Sequence, residues 1–112
     1  MCFEKPFPIF LVRAKLKQLI EAYKQATRID PDFVNAYYYL GVAYYELGFY
    51  KEAIEAYKQV IRIKPDDAHT HFGLGLAYFL IGDRNLALNE YKILKDLDVN
   101  VANKLFDLIW PK

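Results

Sequence analysis

The sequence predicts an all-α fold, a short right-handed solenoid of helical hairpins with about six helices. Two observations carry that expectation. The chain repeats itself at a fixed step of 34 residues, and each unit holds two amphipathic runs parted by a glycine. Composition agrees: of 112 residues, 54% are apolar and 26% charged, which suits one globular core and is too little chain for two.

The repeat is read by laying the sequence on itself. At a step of 34, Leu40, Gly41, Ala43, Tyr44 and Gly48 fall on Leu74, Gly75, Ala77, Tyr78 and Gly82, and Ala53 and Tyr57 fall on Ala87 and Tyr91. One step back, the ten residues Tyr23 to Asp32 align with Tyr57 to Asp66, and seven of the ten are identical. Chance does not produce identity, period and helical phase together.

The elements follow in order. Residues 1–15 form an atypical N-terminal segment that leads into the first helix, expected over 8–29 because proline is tolerated in a first turn. Within it, 16–33 matches the second half of the later units, with Leu19 where the next unit has the small Ala53. The full units are 34–67 and 68–101. In the first of them, Tyr37, Leu40, Gly41 and Tyr44 keep the i, i+3, i+4, i+7 spacing of one helical face, predicting a helix over 34–46. Gly48 stops it as a C-cap glycine. Ala53, Ile54, Tyr57 and Ile61 mark a second helix, 50–63, with Glu52, Glu55, Lys58 and Arg62 turned to water. Pro65 ends that helix, and Asp66 or Asp67 caps the next. The second unit repeats the pattern over 68–80 and 84–97. The last segment, 102–112, reads as a capping helix over about 100–110, with Leu105, Leu108 and Ile109 inward and Lys104 and Asp107 outward.

An aromatic, Leu-Gly, Tyr, Gly, Ala, aromatic, Ala and Pro at set places in 34 residues is the pattern of the tetratricopeptide repeat (TPR) family, which this chain resembles from about Leu16 onward. The unit 34–67 supplies Tyr37, Leu40, Gly41, Tyr44, Gly48, Ala53, Tyr57, Val60 and Pro65. The unit 68–101 supplies His71, Leu74, Gly75, Tyr78, Gly82, Ala87, Tyr91 and Leu94, but has Val99 where proline is usual. The resemblance implies a protein–protein interaction module or scaffold without catalytic activity, in which the first helix of each unit lines a concave groove.

Three columns recur on the face of the first helices opposite the Leu-Gly packing face. They are Asn35/His69/Asn103, Tyr38/Phe72/Phe106 and Val42/Leu76/Trp110, with Tyr45 and Phe79 one turn further on. A helix apolar on two faces is buried on both or presents one as an interface. One reading makes these aromatics a mere completion of the core. The other makes them a groove for an apolar or aromatic polypeptide segment. Some family members grip a C-terminal carboxylate with Lys, Asn and Arg there; here Tyr38, Val42, Phe72, Gly73 and Leu76 stand at those inner positions, so that clamp is not expected. The run Phe7, Ile9, Phe10, Leu11 and Val12 also has two readings: it covers the open face of the first repeat in its own molecule, or it packs on a neighbouring copy and makes a homo-oligomer.

Other chemistries find little support. The formal charge of +1 offers no draw to nucleic acid or an anionic membrane, and the basic cluster Arg13, Lys15, Lys17, Lys24 and Arg28 reads as a solvated face. His69 and His71 stand two apart, on different sides of a helix, so no metal site is expected. There is no serine, and Gly73 and Gly75 lie mid-helix without a following Lys-Ser/Thr, so neither a nucleophile–base pair nor a phosphate loop is expected. No cofactor is expected. Cys2 is the only cysteine, and the apolar run Phe7 to Val12 is six residues against the ~20 needed to span a bilayer. The expectation is a cytoplasmic protein whose partner is a protein or peptide.

Overall fold

A computed structural model describes residues 9–110, as six helices with no strand among the described residues. They are α1 Ile9–Ile29, α2 Val34–Glu46, α3 Tyr50–Ile63, α4 Ala68–Leu80, α5 Arg84–Leu97 and α6 Val99–Ile109. Each expected helix is present, with ends shifted by one residue at most.

The glycines end the first helices by a shared device. Gly48 has φ +83° and Gly82 φ +89°, the left-handed region that a side chain disfavours. The Phe49 N–H donates to the Tyr44 carbonyl and the Gly48 N–H to Tyr45, both at 2.9 Å; Asp83 to Tyr78 and Gly82 to Phe79 repeat these bonds at 2.9 and 3.0 Å. This is the Schellman closure, and it turns the chain sharply into the second helix. At the other ends, Asp83 accepts from the Leu86 N–H, and Asp98 from those of Asn100 and Val101. Asp67 does occupy the N-cap of α4, but its carboxylate takes the Thr70 hydroxyl at 2.9 Å rather than a backbone N–H.

Each helix packs on the next, and α4 also touches α6, so the stack is serial. The radius of gyration, 15.5 Å, exceeds the ~13 Å of a compact domain of this length, as an extended array should. The main core gathers Ala53, Tyr57, Leu74, Ala77, Ala87, Leu94, Ala102 and Leu105; a smaller cluster of Ile20, Leu40, Ala43, Leu47 and Ala56 sits at the α1 end. Small residues allow the close approach. A Cβ at Gly41 would lie 2.6 Å from the Tyr57 ring, and one at Gly73 would lie 3.0 Å from the other edge of that ring. Tyr57 is thus a wedge between α2 and α4.

Two expectations at the ends need correction. Leu108 does not face inward. On α6 the buried stripe is Ala102, Leu105 and Ile109, while Leu108 is 54% exposed, because no further helix packs against that side among the described residues. Likewise Ile9, Phe10, Leu11 and Val12 are all exposed, so they do not cover the first repeat's open face; Phe7 lies outside the described residues.

Candidate protein-binding surface

The first helices bury one face and half-bury the other. In α2 the buried positions are Ala36, Leu40, Gly41 and Ala43, and in α4 Thr70, His71, Leu74, Gly75, Ala77 and Tyr78. On the opposite stripe Asn35, His69 and Asn103 are exposed, and Tyr38, Val42, Tyr45, Phe72, Leu76, Phe79 and Trp110 are intermediate, with Phe106 slightly more open. Tyr38, Val42, Tyr45, Phe72, Leu76, Phe79 and Trp110 rest on the core by one flank and offer the other to solvent. Neither reading of the sequence is excluded by that geometry: the stripe completes the core and is also a surface.

Ring contacts hold the stripe in place. Tyr38 meets Tyr57 at a centroid distance of 6.0 Å and Tyr39 at 5.6 Å, and Tyr45 meets Tyr50 edge-on at 5.4 Å. At the other end, Phe106 lies 5.2 Å from Trp110 and 5.3 Å from Tyr91, and Arg84 stands 6.0 Å above Phe79. Such pairs are worth ~0.5–1.5 kcal/mol beyond area, and they fix the rings before any ligand arrives.

The first column forms a hollow of about 170 Å³ in which Asn35, Tyr38 and His69 meet Val34, Val60, Lys64 and Asp67. It joins the first helix of one unit to that of the next. Asn103 does not line it. Burial, helped by Asp67 and Tyr39, pushes the Tyr38 phenol above its ordinary range; burial, with Tyr50 and Glu46, does the same for Tyr45. Both hydroxyls therefore stay neutral donors near pH 7. The hollow offers amide, phenol and imidazole groups beside one Lys and one Asp, which suits a peptide backbone more than a fixed charge.

One feature lay outside the sequence reading. His71 is buried with Glu90: Nδ1 lies 2.6 Å from Oε1, and Nε2 lies 2.7 Å from the Pro65 carbonyl. In its imidazolium form the ring donates from both nitrogens, to the Glu90 carboxylate and to the Pro65 carbonyl. Its pKa is raised, first by the Glu90 hydrogen bond, against the opposing pull of burial. The ring's two nitrogens are thereby occupied, while His69 points elsewhere, to the exposed column. No group of three or more His, Cys, Asp or Glu side chains able to hold a metal occurs among the described residues.

Serial helical hairpins, glycine-closed turns and an aromatic inner stripe define a helical-repeat interaction protein. The family model described as TPR repeat matches residues 15–48 and 43–82, more than half of the chain, and the protein belongs to that family. Among solved structures it is similar to a crystal structure of MamA, at 31% identity and TM-score 0.73, over 84% of this chain and 54% of that one. Two crystal forms of MamA AMB-1 match at 26% and 24% identity, both with TM-score 0.73, over 79% and 88% of this chain and 51% and 53% of theirs. The chain thus spans about half the length of these relatives. No curated protein matches it.

Proposed function

We propose that the protein is a scaffold whose first-helix stripe holds an apolar or aromatic polypeptide segment. The observation that carries this reading is the stripe itself, a row of half-exposed rings already held in place by ring contacts. Aromatic side chains supply contact area at low entropic cost. On this reading the protein has no catalytic role and acts in the cytoplasm. No helix among the described residues is long and apolar enough to cross a membrane.

Trp110, the only tryptophan, reports on the third column. Titrating the chain with aromatic-rich peptides should shift its emission to the blue, and Phe72→Ser with Leu76→Ser should abolish the shift while leaving helix content intact. Binding unchanged in that double variant rejects the stripe as the site.

A second reading is supported by the exposure of Ile9, Phe10, Leu11 and Val12: self-assembly through packing of this segment on a neighbouring copy. Deleting residues 1–12 then lowers the mass measured by light scattering. A parent chain already monomeric at high concentration rejects it.

A further inference from the structure

We infer that the open side of α1 is a second binding surface, sharing only Asn35 with the stripe, that receives an acidic amphipathic helix from another polypeptide. The argument begins with the repeat. At the 34-residue step α1 corresponds to α3, the second helix of its unit, and Leu19, Tyr23 and Ala26 correspond to Ala53, Tyr57 and Val60. In α3 these three are buried, partly by α2, the first helix of the same unit. No described residue supplies a first helix in front of α1. Leu19 is accordingly 43% exposed where Ala53 is wholly covered, and Tyr23 and Ala26 are only partly buried.

What remains open has the form of a helix seat. Ile9, Val12, Leu16, Leu19, Tyr23 and Ala26 follow one another at alternating steps of three and four, the spacing of a coiled-coil seam. Beside the seam, Ala22, Tyr23 and Ala26 of α1 face Phe33, Asn35, Ala36 and Tyr39 across a groove of about 430 Å³. Its walls are rigid, since Tyr23 stacks on Tyr39 at 5.8 Å with the rings 26° apart. A helix laid there touches α1 on the seam and α2 through Phe33 and Tyr39, as α4 touches α5 and α6 in the stack.

Charge selects the occupant. α1 carries Arg13, Lys15, Lys17, Lys24 and Arg28 against the single acid Glu21, a balance of +4. The whole chain is +1, so everything outside α1 sums to −3. Arg13 and Lys15 flank the seam on its two sides, and among the described residues neither belongs to an ion pair. A second α1 would add its own Arg13 and Lys15, gathering four like charges at this face, and is disfavoured. The α6 helix of a second copy also fits poorly: Ile109 fills the place where Gly41 admits the Tyr57 ring. A helix with apolar residues at three- and four-residue steps and glutamates or aspartates beside them meets both the shape and the charge.

The test titrates the full chain with a labelled three-heptad peptide bearing leucines at those steps and glutamates between them, and with its lysine twin. The glutamate peptide should bind at least about tenfold more tightly than the twin, with affinity falling as salt rises. Leu19→Glu should weaken it by at least about tenfold, and Arg13→Glu with Lys15→Glu should reverse the preference; these residues are exposed, and helix content serves as the folding check. Phe72→Ser with Leu76→Ser should leave this peptide's binding unchanged, which separates the seat from the stripe. Equal binding of the two peptides, or no loss with Leu19→Glu and the charge reversal, overturns the proposal. A stable dimer of the parent chain that Leu19→Glu dissociates also overturns it, because the occupant is then a second copy.

Discussion

The two complete repeats share a backbone and differ in what fills it. Their helices begin and end 34 residues apart, and both close on a glycine with φ between +83° and +89°. Inside, the first repeat has Ala36, Tyr37 and Ala56, where the second has Thr70, His71 and Glu90. The first is an ordinary apolar and aromatic interior. The second buries an ion pair whose ring also reaches the Pro65 carbonyl, in the turn that joins the two repeats. The comparison teaches that the repeat period specifies helix ends and close contacts, while the polar chemistry between the helices is free to vary so long as every buried group is paired. That condition is met: no buried side-chain nitrogen or oxygen among the described residues lacks a partner.

Breaking that pair should have the largest effect. His71→Leu strands the Glu90 carboxylate in the core, and removing one partner of a buried ion pair costs roughly 3–5 kcal/mol, read from urea unfolding. The double change His71→Tyr with Glu90→Ala installs the first repeat's solution and should recover most of the loss. If the double variant is no better than His71→Leu, the two interiors are not interchangeable. The pair also sets a pH dependence. Because the folded-state pKa of His71 is raised above its unfolded value, its contribution is full below the ordinary histidine range. It is lost as pH rises through the raised folded value. Parent stability should therefore fall over that interval by more than that of the Tyr/Ala double variant.

Glu90 also shows where sequence reading stopped. The fold was legible because glycine, alanine and aromatic positions recur at one step, and six helix boundaries follow from that recurrence. Glu90 stands outside the recurrent set. Its signal was helical phase: Ala87, Glu90 and Leu94 lie at i, i+3 and i+7 on the buried face of α5, in the place of Ala56. A charged residue at such a place asks for a partner, and His71 is the residue available. The stripe was legible as three columns, yet sequence alone could not divide its rings between core and surface, because each does both. Leu108 was misread because helical spacing says which face a residue occupies, not whether a neighbour covers that face.

Close packing gives an intermediate effect that differs between the repeats. Gly41→Leu and Gly75→Leu should each destabilise by about 1–3 kcal/mol or more through overpacking. Alanine sharpens the contrast. At Gly41 the new Cβ meets a Tyr57 ring that Gly73 hems in from the other edge, whereas at Gly75 it meets the methyl ends of Leu105, also at 2.6 Å. A leucine tip can turn and a wedged ring cannot, so thermal unfolding should show Gly41→Ala as the more harmful of the two. The reverse order would mean that Tyr57 has room to move and does not fix the junction.

The smallest effect is expected where no described helix covers the repeat. Leu40, Leu74 and Leu108 occupy one position in three successive first helices, and their exposures are 7%, 3% and 54%. Truncating the buried members to alanine should cost ~2–5 kcal/mol each, since the transfer energy is lost and a cavity remains. At Leu108 the side chain already meets water and leaves no cavity, so Leu108→Ala should stay within about 0.5 kcal/mol in chemical denaturation. The contrast tests position against environment, because residue type and place in the repeat are the same in all three. A large loss at Leu108 would show that something covers this face in solution. Repeating the measurement over a range of protein concentrations would then identify the cover: a loss that grows with concentration points to another copy of the chain, and a constant loss points to contacts within it.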